Sequence, residues 1–350
     1  MAKKVTITDY ESPNTEETKE AGKKSSAMLS VKQAANICQG YIFEIKRAER
    51  YNEDNPVARE SLYETVAELT GQQTQVGNSD QFHNFAATLG GNGFDNLACD
   101  VLDCGLARFP MNVDLLADYL IYGIDCERLD QCAAHFATLE SIEQSEWTWR
   151  CFAFGIAYMN RLRDCFATTA EERNHYKKKA AELARAYKRH LPYEEGGYRE
   201  TAKLMAKKPD AMLKMLNDAL SNELLGSCPT CAFEKAELLF KQKKYEEAHE
   251  AIDRSLEDSI NQTQGGVKEN YLLFLRGLCD YALLLQGVRA GTPIKEERVL
   301  GIYADFNKAL RELDENYRAK IRIRTQDLVC EGTKVQVPDD MERLLELIEF

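Results

Sequence analysis

The segment Cys228-Pro-Thr-Cys231 has the residue types and spacing of a zinc-ligand pair or of a redox-active dithiol. A structural zinc site needs four ligands, and the sequence offers no second closely spaced pair. A dithiol would gain reactivity from a helix N-terminus, but thioredoxin-like chemistry also expects a βαβ context, which the sequence lacks. We therefore favour a structural role, in which Ser227 or Cys228 caps a helix and Pro229 occupies its first turn. A redox pair remains the alternative, and metal binding by Cys228 and Cys231 is the least favoured interpretation.

No other group of residues has the pattern of a catalytic site. The histidines are His83, His135, His175, His190 and His249. They are far apart in the sequence, and none belongs to a metal-binding or nucleophile-base motif. The glycine-rich segment 89–93 lacks the Lys-Ser/Thr of a phosphate loop and a preceding strand, so we expect a turn between helices there. The sequence thus predicts a non-catalytic protein without a cofactor.

Composition limits the classes of partner. The chain has 350 residues, and its 44% hydrophobic content is enough for a large core. Its formal net charge of -12 argues against nucleic acid or an anionic membrane as the partner. The apolar segments are too short to span a bilayer, and the 11 cysteines are scattered without an export signal. We expect a cytoplasmic protein with reduced thiols.

Two basic segments, 176–190 and 317–324, stand out against this acidic background. Such runs usually form a solvated helix face, and a docking surface for an acidic partner is the alternative.

The elements that would position these residues are helices. Residues 1–27 are polar, and we expect a disordered tail. From Met28 onward, apolar residues recur every three to four positions, which predicts an all-helical chain. Residues 28–78 form a helix pair that is either a cap or a degenerate repeat. Residues 79–313 form a repeat array with insertions near 163–175 and 287–298, and 314–350 form an extension with a short closing helix.

The helices of the array come in pairs that recur at a nearly constant spacing. Leu120 lies 34 residues after Ala86, and Gly155 lies 35 residues after Leu120. In the second helices, the positions of Ala98, Leu102 and Gly105 are repeated by Cys132, Phe136 and Leu139. Ala236 is followed at the same offsets by Ala248, Ile252 and Ser255. An insertion after Trp147 places Ala180, Ala184 and Pro192 later than this spacing expects.

This pattern resembles the tetratricopeptide repeat (TPR) family, whose unit of about 34 residues places small residues where paired helices touch. The resemblance is most specific in 79–142 and 229–256. It implies a right-handed α-solenoid of helix-turn-helix repeats, with a concave groove lined by the first helix of each pair. In the family, that groove holds a peptide or helix of a partner protein.

The same resemblance gives a set of candidate groove residues on the first helices. They are Asp80, His83 and Ala87; Asp114, Ala117, Ile121 and Ile124; Trp149, Phe152, Ile156 and Met159; and Phe233, Glu237, Phe240 and Lys241. Trp149, Phe152, Ile156 and Met159 suggest an apolar anchor site. Packing against a neighbouring unit is the alternative for each apolar member, because groove and core residues share helical spacing. Some repeats of this family clamp the acidic C-terminus of a chaperone with basic side chains on their first helices. The equivalent positions of this sequence lack those basic residues.

The sequence therefore favours a non-catalytic scaffold or adaptor that binds a partner protein or peptide in the groove and regulates or recruits an effector. A thiol-based redox sensor using Cys228 and Cys231 and a ligand-sensing regulatory repeat protein are the alternatives.

Overall fold

The computed structural model describes residues 28–261, 267, 269–292 and 296–310. The expected N-terminal tail and C-terminal extension lie outside the described residues. Within these ranges all regular structure is helical, apart from an isolated bridge between Ser30 and Val76. The chain divides into two compact units, Met1–Asp118 and Tyr119–Phe350, with the boundary inside one helix. The prediction of an all-helical chain is confirmed for the described residues.

Unit 1 consists of two stacked helix pairs and the start of a further helix. Its helices are α1 (Val31–Glu49), α2 (Pro56–Thr70), α3 (Ser79–Gly90), α4 (Asp95–Arg108) and the beginning of α5 (Val113–Asp125). Helix α1 packs on α2 and α3 packs on α4, while α1 also contacts α3 and α2 contacts α4. A β-carbon at Gly105 would lie 3.1 Å from Cβ of Phe82, so the small residue permits the close approach of α3 and α4.

Unit 2 is also built from helix pairs. Its helices after α5 are α6 (Leu129–Glu140), α7 (Trp149–Arg161), α8 (Ala170–His190), α9 (Glu195–Lys203), α10 (Pro209–Leu220), α11 (Pro229–Lys241), α12 (Tyr245–Asn261), α13 (Glu269–Arg289) and α14 (Glu296–Leu310). The closely packed pairs are α7 with α8, α9 with α10, α11 with α12, and α13 with α14. Successive pairs also touch through their first helices, α9 on α11 and α11 on α13. This is the packing expected of stacked helix-turn-helix repeats.

The insertion expected after Trp147 has a clear structural form. A π-helical turn at Leu162–Phe166 follows α7, and the 21-residue α8 then begins at Ala170. Ala180 and Ala184 are buried on that long helix, as the delayed spacing predicted. The first residues of the insertion predicted near 287–298 belong to α13, which continues to Arg289. Gly291, with a φ of 76°, follows that end as a typical left-handed helix terminator.

Two glycines set the position of α9 against α8. A β-carbon at Gly197 would lie 2.7 Å from the backbone N and Cα of Lys188. A β-carbon at Gly196 would lie 2.5 Å from the hydroxyl oxygen of Tyr187. The sequence Glu194-Glu195-Gly-Gly therefore brings the start of α9 directly onto the last turns of α8, and this contact positions the side chains described next.

Candidate functional site: a cavity bounded by α7, α9 and α11

A cavity of about 580 Å³ lies inside unit 2, between α7, the start of α9 and the start of α11. Its size is within the usual range for sites that bind small molecules or peptide side chains. The lining side chains that matter here are Trp149, Tyr193, Glu194, Glu195, Arg199 and Thr230. They combine exposed aromatic rings with charged groups.

The aromatic part of the wall comes from α7 and from the segment before α9. Trp149 is the first residue of α7 and keeps 36% of its surface exposed. The guanidinium of Arg150 lies 4.8 Å from the centroid of the indole, and Phe154 meets that ring edge-on. Tyr193 is 58% exposed. Aromatic surface left open beside a cavity is suited to a ligand that can stack on it.

Glu195 lines the cavity and also caps the start of α11. Its carboxylate accepts hydrogen bonds from the backbone N–H groups of Thr230 and Cys231, both at 3.1 Å. These donors are among the N–H groups that a helix start leaves without intrahelical partners. Burial raises the pKa of Glu195, while the hydrogen bonds from α11 oppose that rise. The carboxylate of Glu195 thus has a structural role as the cap of α11.

Two cations near this wall are paired with carboxylates, whereas Arg150, which also lines the cavity, lies over the indole of Trp149. Arg199 donates from Nε and Nη2 to Oε1 of Glu200, at 3.0 and 2.7 Å. Lys203 bridges Glu200 and Glu234, at 3.4 and 3.2 Å. These groups form a matched network along α9 and α11.

Glu194 differs from its neighbours. Its side chain is half-buried, and burial raises the pKa of its carboxyl group. Among the described residues no cation lies within 4.0 Å of the Glu194 carboxylate. Glu194 therefore adds to the cavity wall a partly desolvated carboxylate that has no ion-pair partner in the described part of the chain.

The cysteine pair lies just behind this wall and has the properties of packing residues. Cys228 and Cys231 are free thiols, 1% and 0% exposed. Burial, followed by the charges of Glu195 and Asp258, raises the pKa of Cys228 to about 12, and burial likewise raises the pKa of Cys231. Both thiols are therefore protonated at neutral pH, which opposes thiolate chemistry. The structure also confirms Pro229 in the first turn of α11, with Cys228 at the cap position.

The described part of the chain contains no cluster of three or more His, Cys, Asp or Glu residues suited to a metal ion.

The structure corrects the exposure expected of several groove candidates. Phe152, Ile156 and Met159 are only 0%, 4% and 4% exposed. Phe152 stacks on the ring of Tyr187, with centroids 5.3 Å apart, and lies against Trp147 on its other flank. Ala117 and Ile124 are buried too. The prediction of an exposed apolar anchor on α7 therefore holds for Trp149 and is wrong for the other three residues, because they face the core.

The remaining candidates lie at or near the surface of their own units. Asp80 and Lys241 are exposed, whereas Ala87, Asp114, Ile121, Phe233, Glu237 and Phe240 are half-buried. His83 makes a short hydrogen bond from Nδ1 to the buried carboxylate of Asp118. Phe240 packs against Tyr245, at 5.3 Å between ring centroids. Of all the groove candidates, only Trp149 lines the cavity. Binding of a partner by the others stays a prediction.

Sequence interpretation missed Tyr193, Glu194, Glu195 and Arg199. They lie around the start of α9, in a short helix pair without a clear repeat signature. The run Tyr-Glu-Glu-Gly-Gly was the only signal, since it joins an exposed aromatic residue, two carboxylates and a close-packing glycine pair. The signal was weak because the surrounding sequence does not indicate which residues the carboxylates contact.

Comparisons with known proteins found only remote likenesses. No protein-family model and no curated protein matches the chain. Similar solved structures include a thermophilic TPR protein of Thermus thermophilus, with 17% identity and a TM-score of 0.44 over 59% of this chain and 99% of that one. Another is Pseudomonas aeruginosa PilF, with 15% identity and a TM-score of 0.45 over 73% and 97%. A third is the C-terminal part of a TPR repeat-containing protein from Cytophaga hutchinsonii, with 12% identity and a TM-score of 0.40 over 70% and 85%.

These likenesses are too remote to transfer a partner or an activity. Within the described residues, no helix is long and apolar enough to cross a membrane. The fold assignment therefore stands on the packing itself: helix pairs recur along the chain, and in each unit the first helix of one pair contacts the first helix of the next. This all-helical chain has a TPR-like helical-repeat fold.

Proposed function

We propose that this chain is a non-catalytic interaction scaffold that binds a peptide segment of a partner protein in the cavity between α7, α9 and α11. The observation that carries the proposal is a cavity of about 580 Å³ with two exposed aromatic residues, Trp149 and Tyr193, on its wall. Large aromatic side chains are typical anchors of protein interfaces. Any effector activity would belong to the bound protein.

A cytoplasmic location is part of this proposal. The ten cysteines in the described part of the chain are all free thiols, and most are buried. Free thiols in that number are typical of proteins in a reducing compartment.

A peptide-display selection against the full chain tests the proposal. We expect selected peptides to bind the wild type and to lose at least about tenfold in affinity on Trp149→Ala or Tyr193→Ala, as removal of an interface aromatic residue usually does. Tyr63→Ala is the matched control, because Tyr63 is also an exposed tyrosine, at 48%, but lies on α2 of unit 1. Selected peptides that bind all four proteins equally would contradict the proposed location, and failure to select any peptide would contradict the function.

A further inference from the structure

Glu194 lines the cavity, and its carboxylate has no ion-pair partner among the described residues. Glu194 follows Tyr193 directly, and both residues line the cavity together with Trp149. A half-buried carboxylate without a cation has lost part of its hydration and gains nothing in return. The raised pKa of Glu194 is consistent with this unfavourable environment. Such a group is stabilised by a cation supplied from outside.

The protein's own cations do not meet this need. Arg199 is held by Glu200, and Lys203 is shared by Glu200 and Glu234. Arg150 lies over the indole of Trp149 rather than against a carboxylate. Of the three glutamates that line the cavity, Glu195 accepts hydrogen bonds from α11 and Glu200 pairs with Arg199. Among the described residues, the carboxylate of Glu194 has no such partner.

Two features of the wall favour a guanidinium over other cations. Arginine can stack its planar group on an aromatic ring and donate two parallel hydrogen bonds to one carboxylate, whereas an ammonium group acts as a compact point charge. Tyr193 offers the open ring, with 58% of its surface exposed, and it lines the same cavity as Glu194. The lining carries three glutamates against two arginines, an excess of negative charge that disfavours an acidic ligand. An apolar ligand would leave Glu194 further dehydrated.

We propose that the cavity binds a basic peptide of a partner protein through one arginine side chain, which stacks on the exposed ring of Tyr193, lies near Trp149 and pairs with Glu194. This inference rests on the proposed function and names its partner chemistry. The net charge of -12 supports it over longer distances, because an acidic chain attracts basic partners and speeds their association.

The two tryptophans of the chain provide a direct readout. Trp149 lines the cavity, whereas Trp147 is 3% exposed and donates its indole N–H to the carbonyl of Ile142. In a titration followed by indole ¹H–¹⁵N signals, the Trp147 signal therefore serves as an internal reference for an intact fold. The probe is a short Gly/Ser peptide with one central arginine. Matched peptides replace that residue with citrulline, which keeps the shape and removes the charge, or with lysine or glutamate.

We expect the arginine peptide to shift the Trp149 signal saturably and to leave Trp147 unchanged. The citrulline peptide should bind roughly tenfold more weakly, as expected for loss of one charge-assisted contact. Glu194→Gln should cause a similar loss, and Glu223→Gln, the same change at an exposed glutamate in the turn before α11, should cause none. Glu194→Gln removes a poorly hydrated charge, so we expect it to fold at least as stably as the wild type.

Several results would overturn the inference. Equal binding of the arginine and citrulline peptides, unchanged binding by Glu194→Gln, or absence of any Trp149 shift would exclude the cation site. Equal binding of the lysine peptide would overturn the arginine assignment. The inference and the proposed function can fail separately. If display selection yields peptides that need Trp149 and Tyr193 but contain no basic residue, the scaffold function stands and this inference does not.

Discussion

Unit 2 contains two groups of charged side chains that differ in whether each charge has a partner. The first is the cavity wall described above. The second, the α12–α14 charge cluster, consists of His249, Asp253, Arg276, Asp280 and Asp305. Here Arg276 donates to both carboxylate oxygens of Asp305, at 2.7 and 2.8 Å, and to Asp253 at 3.2 Å. His249 lies 3.2 Å from Asp253 and 3.4 Å from Asp280.

The comparison shows how similar residue types serve different ends. In the α12–α14 charge cluster each cation contacts two carboxylates, so the charges link three helices and contribute to stability. In the cavity wall, Glu195 and Glu200 are matched but Glu194 is not, and aromatic surface stays open beside it. A matched network needs no ligand, whereas an unmatched charge beside a cavity gains from one.

The largest expected effect comes from breaking the matched cluster. Arg276→Met keeps the apolar stem but leaves the Asp305 side chain, only 14% exposed, without its cation. We expect the free energy of unfolding to fall by about 2–3 kcal/mol, because a partly buried charge loses its charged hydrogen-bond donor. Urea unfolding followed by circular dichroism measures this. Lys308→Met is the control, because Lys308 and its partner Glu269 are 63% and 60% exposed, so the loss should stay below about 0.5 kcal/mol. Equal losses in the two variants would contradict the assignment.

A smaller effect separates the two neighbouring glutamates of the cavity wall. Glu195→Ala removes the acceptor for two N–H groups of α11, and we expect a loss of about 1–2 kcal/mol, as for other helix caps. Glu194→Ala should cost nothing comparable, since its carboxylate is unpaired. The same urea experiment compares them. A larger loss for Glu194→Ala would mean that Glu194 has a structural partner and would count against the binding site.

The smallest effect is a pH dependence in the matched cluster. Hydrogen bonding to Asp280 raises the pKa of His249 above its ordinary value of 6.5, and the charges of Asp280 and Asp253 act in the same direction. Burial and the charge of Arg276 oppose this rise without cancelling it. The folded state therefore holds this proton more tightly than the unfolded chain. The resulting stability is fully present below the ordinary pKa and is lost as pH rises through the raised pKa.

His249→Gln should remove this contribution. We expect the stability difference between wild type and variant to shrink as pH rises from about 5.5 to 8.5 in urea unfolding experiments. His175→Gln is the control, because His175 is exposed on α8. A difference that is constant with pH, or that grows as pH rises, would contradict the role given to His249.

The helices were predictable because their causes are local, whereas most of the site was not. The apolar spacing that predicted α7 is the same for residues that face a core and for residues that face a cavity. Phe152 turned inward because Tyr187 and Trp147, on other segments, surround it. Of the four candidates on α7, only Trp149, at the first position of the helix, has the exposure expected of a groove residue.

The sequence by itself determined an all-helical chain, the recurrence of helix pairs at about 34 residues and the start of α11 at Pro229. These depend on backbone hydrogen bonds within a few residues and on the fixed φ of proline. Only the tertiary structure decided that Glu195 caps a helix 35 residues later, that Cys228 and Cys231 are packed away from water, and that Glu194 lacks a partner. Burial and charge pairing depend on which distant segments meet, and helical periodicity alone does not carry that information.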